Sequence, residues 1–156
     1  MQLVQYRGRS AARLENDFLR LTVLQQGGHI AEVLDKTTGI NPLWTPPWPS
    51  IEPGSYDGAR YPEYGGGVDA PLLAGIMGHN LCLDIFGGPS DAEAAAGLPV
   101  HGEASLVDYQ LESSGQGLVQ RAHLKLTNLR VERSIRLTDR AVIGRASCRE
   151  RVSECV

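Results

Sequence analysis

Apolar and polar residues alternate over residues 18–24, with Leu19, Leu21 and Val23 on one side and Phe18, Arg20 and Thr22 on the other. A period of two marks a half-buried strand. Gly27 and Gly28 follow. A glycine pair tolerates the positive φ of a tight hairpin, so residues 29–35 are predicted to return as the next strand, with a turn at 36–39. The alternation recurs at residues 106–111, 118–126 and 129–137, with turns expected at 113–117 and 127–128. Residues 3–6 are expected to form a short first strand.

Residues 40–74 break the rhythm. They hold most of the prolines and five large aromatics, Trp44, Trp48, Tyr56, Tyr61 and Tyr64. Proline removes backbone donors and glycine weakens regular structure, so the segment is predicted to be mainly loop. Loops this long are uncommon in a compact domain unless functional or disordered, and aromatic density argues against disorder. Residues 80–85 are apolar enough for a buried strand. Residues 90–97 open on Ser90, run through helix formers and close on Gly97, which predicts one or two helical turns. The pattern as a whole predicts an all-β, antiparallel β-sandwich interrupted by a long aromatic- and Pro/Gly-rich loop.

Composition narrows the class. A hydrophobic fraction of 42% and a charged fraction of 21% fit an ordinary soluble globular protein. No apolar run approaches the roughly 18–20 residues of a membrane span, so no membrane partner is expected. The N-terminus lacks a signal-peptide core, which predicts a cytoplasmic protein. A net charge of −3 gives no electrostatic reason for a nucleic-acid partner. Cys82, Cys148 and Cys155 have no metal-ligand spacing, and their odd number argues against a disulfide framework. Cys82, between Leu81 and Leu83, reads as a small buried hydrophobe. No metal and no cofactor are expected.

The sandwich pattern stops near residue 142. Residues 143–152 read IGRASCRERV, which is similar to the conceptual translation of a widely used sequencing-adapter oligonucleotide. Residues 1–142 are therefore read as the N-terminal part of a β-sandwich domain, and 143–156 as a non-native tail. As an ordinary sequence the tail would be a basic C-terminal helix, but it has no clean apolar face.

The candidate chemistry lies between residues 75 and 105. A glycine-rich start carries His79 and Asn80. Asp84 precedes the Phe86-Gly87 step, and the His101-Gly102 pair is followed by Glu103. An imidazole can give or accept a proton at a hydroxyl near neutral pH without a metal. Asp84 and Glu103 are the carboxylates that could orient His101 or bind hydroxyls. Trp48, like Trp44, Tyr61 and Tyr64, could stack on the C–H face of a sugar ring or pack the long loop onto the sandwich. His29 and His123 read as structural or exposed.

The ordered set of a Gly27-Gly28 hairpin, a glycine-rich segment, Phe86-Gly87, His101-Gly102 and the strand at 131–137 resembles the galactose mutarotase-like superfamily, which includes aldose 1-epimerases. The likeness covers residues 16–137. It implies a supersandwich, here incomplete, that binds a small-molecule sugar and interconverts its anomers by general acid–base catalysis. His101 matches the family's sugar-contacting histidine. Ser105, and the His79-Asn80 pair, stand where family members often carry arginine, which speaks against a phosphorylated sugar, because phosphate favours a bidentate Arg. The family's catalytic Glu and second His lie in its C-terminal half, so the catalytic residues are expected outside this chain.

Two other readings share parts of this pattern. One is a non-catalytic carbohydrate-binding module. The other is a cupin-like metal site built from His79, His101 and His123, which the lack of any His-x-His pair disfavours. Half a sandwich leaves sheet edges and an apolar face uncovered, so the chain alone is predicted to be poorly stable.

Overall fold

A computed structural model describes residues 1–83 and 85–150. The chain is an all-β antiparallel sandwich of two four-stranded sheets, each a simple meander. The first holds β1 (Gln2–Tyr6), β2 (Arg9–Glu15), β3 (Leu19–Leu24) and β4 (Ile30–Asp35). The second holds β5 (Gln110–Ser114), β6 (Gly117–Leu124), β7 (Leu129–Leu137) and β8 (Val142–Glu150). Between the sheets in sequence lie the short helices α1 (Ala70–Gly75) and α2 (Asp91–Ala95). No helix among the described residues is long and apolar enough to cross a membrane.

Turn chemistry sets the hairpins. Tyr6 pairs with Arg9 across a two-residue turn in which Arg7 and Gly8 both have positive φ, 50° and 82°. Positive φ at both positions gives the twist that matches paired strands. Gly27 and Gly28 have φ of 73° and 59°, as their pairing predicts. A Cβ on Gly28 would stand 2.8 Å from the Tyr109 ring, and one on Gly27 2.4 Å from the Ser105 carbonyl oxygen. The glycines therefore serve close packing as well as the turn.

Ala12, Leu14, Leu21 and Val23 of the first sheet meet Leu118, Ile135 and Leu137 of the second in the central core. The other face of the first sheet is covered too. Ala11, Leu24 and Ala31 pack on Met77 from the long loop. This double cover explains why Thr22 and Leu24 are as buried as Leu21 and Val23, where the alternation alone predicts one solvated side. It also explains β2, which the pattern does not reveal. Ala11 and Ala12 have weak strand propensity, but each faces a packed layer with little room.

The long loop is ordered by its aromatics and by one cation. Tyr64, Ala70 and Ala74 form a small core flanked by Trp48, Ile51, Tyr56 and Tyr61. Arg9 is fully buried. Its guanidinium donates to Glu52 at 3.2 Å, to Ser50 Oγ at 3.0 Å and to the carbonyls of Gly75 and Gln26. Burial lowers the Arg9 pKa, and Glu52 opposes that shift. The bonds tie β2, the Gly-Gly hairpin, residues 50–52 of the loop and the end of α1 together.

Two sequence-based expectations are corrected. The described part of residues 80–85 is not a strand; only His79 pairs, through its backbone with Ile30. Residues 106–109 do not join the second sheet. Residues 103–106 turn, and Val107 and Tyr109 bond instead to Gly27 and Gln25 of the first sheet's hairpin. Residues 142–150 form a strand bonded to β7 through nine residue pairs, and not the helix already disfavoured by the lack of a clean apolar face. Residues 151–156 of the tail lie outside the described residues.

Candidate functional site

His101 is held by its local backbone. It sits at φ 63° and Gly102 at φ 79°. A histidine in the left-handed region is uncommon and costs of order 1 kcal/mol or more. The segment before it folds back through α2, whose Ser90 and Glu93 close a capping box. That return brings His101 against Phe86 and Gly87. The His101 N–H donates to the Gly87 carbonyl at 2.8 Å, and the Gly87 N–H donates to His101 Nδ1 at 3.1 Å.

The second bond fixes the chemistry of the ring. With Nδ1 accepting, a neutral imidazole carries its hydrogen on Nε2. Nε2 has no hydrogen-bond partner among the described residues, and the ring is half-buried. The Phe86 ring meets it edge-on, with centroids 5.1 Å apart. Phe86 itself is 87% exposed. His101 thus presents an N–H donor beside an unburied aromatic surface.

The other sequence candidates separate. Glu103 is buried, and its carboxylate accepts from the backbone N–H groups of Lys125, Leu126 and Thr127 at 3.1, 2.8 and 3.3 Å. It caps the β6–β7 turn and leaves His101 unoriented. His79 is exposed. Asn80 is half-buried and its amide lies 4.0 Å from Cys82 Sγ. Trp48 donates from Nε1 to the Leu73 carbonyl at 3.1 Å and packs the loop core. Trp44 meets it edge-on and stays half-exposed. Cys82 is half-buried, less than expected, and burial pushes its thiol pKa up. Asp84 lies outside the described residues. No hydrogen bond or ion pair among the described residues joins His101 to His79, Asn80, Glu103 or Trp48.

Two features escape the sequence reading. One is a group of buried polar residues around the Gly27-Gly28 hairpin, His29, Ser105, Gln120 and Arg133. His29 Nε2 lies 3.1 Å from the Ser105 carbonyl oxygen. Burial, with the positive charge of Arg9 adding to it, lowers the His29 pKa from 6.5 to about 3, so the ring is neutral in the fold. Arg133 donates to Gln120 Oε1 at 2.6 Å and to the Gly28 carbonyl, and burial lowers its pKa to about 10.

The other is an open cleft of about 710 Å³ on the outer face of the second sheet. His123 pairs with Arg130, and Arg130 with Arg149, across three adjacent strands. Arg121 is held between Glu112 and Glu132 at 2.5 and 2.8 Å. None of the sugar-site candidates lines the cleft, whereas His123 of the cupin-like set does. Among the described residues no three His, Cys, Asp or Glu side chains come close enough to hold a metal ion, so the cupin-like set of histidines does not assemble.

No protein-family model matches the sequence, and no curated protein matches it. Among solved structures the fold is similar to part of the crystal structure of a 4-alpha-glucanotransferase from Thermococcus litoralis. The TM-score is 0.53 at 16% identity, covering 94% of this chain and 24% of that one. The chain thus spans about a quarter of that protein's length, and the likeness is one of fold.

Proposed function

We propose that the chain is the N-terminal part of a galactose mutarotase-like supersandwich that binds an uncharged sugar through His101. The observation that carries this reading is the fixed His101 ring, with Nδ1 occupied by Gly87, Nε2–H without a partner among the described residues and Phe86 exposed beside it. A hydroxyl can accept from Nε2–H while the C–H face of the ring lies on the aromatic edge or face. The strained backbone at His101 fits a position kept for its side chain. The structural neighbour is, by its name, an enzyme acting on glucan, which agrees with carbohydrate as the ligand class.

Aldose 1-epimerase activity needs a general acid and base on either side of the anomeric centre. Both are expected further along a longer polypeptide, as the family's Glu and second His, with His101 contacting the sugar. A non-catalytic binding module is the second reading. It is favoured by Glu103, whose carboxylate is spent on three backbone N–H groups.

The test is sugar binding by calorimetry or NMR with glucose, galactose and xylose. Wild type is expected to bind at least one of them weakly, and His101→Ala is expected to lose binding while keeping its melting temperature. Binding unchanged in His101→Ala, or no binding by any aldose, would sink the proposal.

A further inference from the structure

Arg133 is only 4% exposed, and no carboxylate among the described residues pairs with it. Its Nε and Nη2 are satisfied by Gln120 and Gly28, while Nη1 is buried with no hydrogen-bond partner. A buried cation without an anion is strongly unfavourable, and the usual answer is a paired carboxylate. The inner face of β6 opposite Arg133 holds Gln120, which is neutral. On the other flank, β8 places Ala146 directly opposite. Side chains facing each other across an antiparallel pair lie within reach of a direct bond.

Nothing in the packing selects alanine there. Residues 143–149 of β8 are exposed on both faces, and the run from 143 onward is the one similar to a translated adapter. On the outer face Arg149 stands opposite Arg130, a like-charge pair that costs stability. The strand is bonded to β7 but complements neither of its faces.

We propose that Arg133 is one half of a buried ion pair, and that the strand which natively completes the second sheet beside β7 carries an acidic residue at the position held here by Ala146. The partner fitted by this sheet edge is an acidic strand of the protein's own polypeptide.

The experiment places charge at that position in the full chain. Ala146→Glu and Ala146→Lys are compared by thermal melting with Gly144→Glu and Gly144→Lys. Gly144 lies on the same face of β8, opposite Ile135, with open space for a side chain. The Glu variant at 146 is expected to melt at least about 4 °C above the Lys variant, with a clearly smaller difference at 144. In an Arg133→Gln background the difference at 146 is expected to collapse to that at 144. Equal differences at the two positions, or Lys as good as Glu at 146, would overturn the proposal. Those outcomes need only the variants at 144 and 146, so the proposal stays testable if Arg133→Gln does not fold.

Discussion

β7 and β8 lie side by side and are bonded through nine consecutive residue pairs, yet beyond Val142, which packs on the edge of the core, only β7 contributes to it. β7 buries Val131, Arg133, Ile135 and Leu137 and turns Arg130, Glu132, Ser134 and Arg136 outward. β8 has one half-buried residue, Val142, and then nothing but exposed positions through Arg149. Backbone pairing is nearly blind to sequence, because every residue except proline brings the same donor and acceptor. Packing is not blind, because side chains must fill the space between layers. A ladder alone therefore says little about whether a strand belongs where it lies.

The contrast makes graded expectations. Ile135→Ala removes buried methyl groups from the central core and is expected to cost about 2–5 kcal/mol, read from chemical denaturation. Arg9→Met breaks the buried knot that ties the long loop to β2 and is expected to cost about 3 kcal/mol. It should also make residues 50–75 more open to protease, since Glu52, Ser50 and Gly75 lose their common partner. Glu103→Gln weakens the charged cap on the β6–β7 turn and is expected to cost about 1–2 kcal/mol. Arg145→Ala or Cys148→Ser on β8 is expected to change stability by less than about 0.5 kcal/mol. A β8 substitution as costly as Ile135→Ala would break the contrast between the two strands.

Acid sharpens it from another side. His29 is fully buried, with a pKa lowered from 6.5 to about 3. The unfolded chain takes up this proton first, so stability is full above 6.5 and is lost as pH falls towards 3. In the upper part of that window, above the carboxylate range, the decline in melting temperature is expected to flatten in His29→Asn. A slope unchanged by that substitution would show that the fold does not bury the imidazole.

Much of the sandwich was legible because alternation survives wherever one face is packed and the other wet. β7 matches the expected strand residue for residue, and β3, β4 and β6 lie within a few positions of theirs. β2 was hidden because it is covered on both faces and meets that cover with alanines, leaving no alternation to read. The segment 80–85 misled because its apolar residues pack under the second sheet as loop; Leu81 and Leu83 lie against the cluster of Tyr109 and Leu124. At the candidate site, His101-Gly102 and Phe86-Gly87 were legible as short motifs, but the bond from Gly87 to Nδ1 depends on a return of the chain that no local pattern encodes. Glu103 read as a ligand-facing acid because sequence cannot show that three amides claim it. Arg133 carried a usable signal: it shares the buried parity of Val131, Ile135 and Leu137.

The most direct test of the sugar-binding reading is the long-range proton–nitrogen NMR spectrum of the histidine rings during titration with galactose and glucose. The account expects His101 to show the Nε2–H tautomer before sugar is added, and its Nε2 resonance to move with saturation as sugar binds, while buried His29 stays still. A His101 ring with its hydrogen on Nδ1, or one indifferent to every aldose, would contradict it.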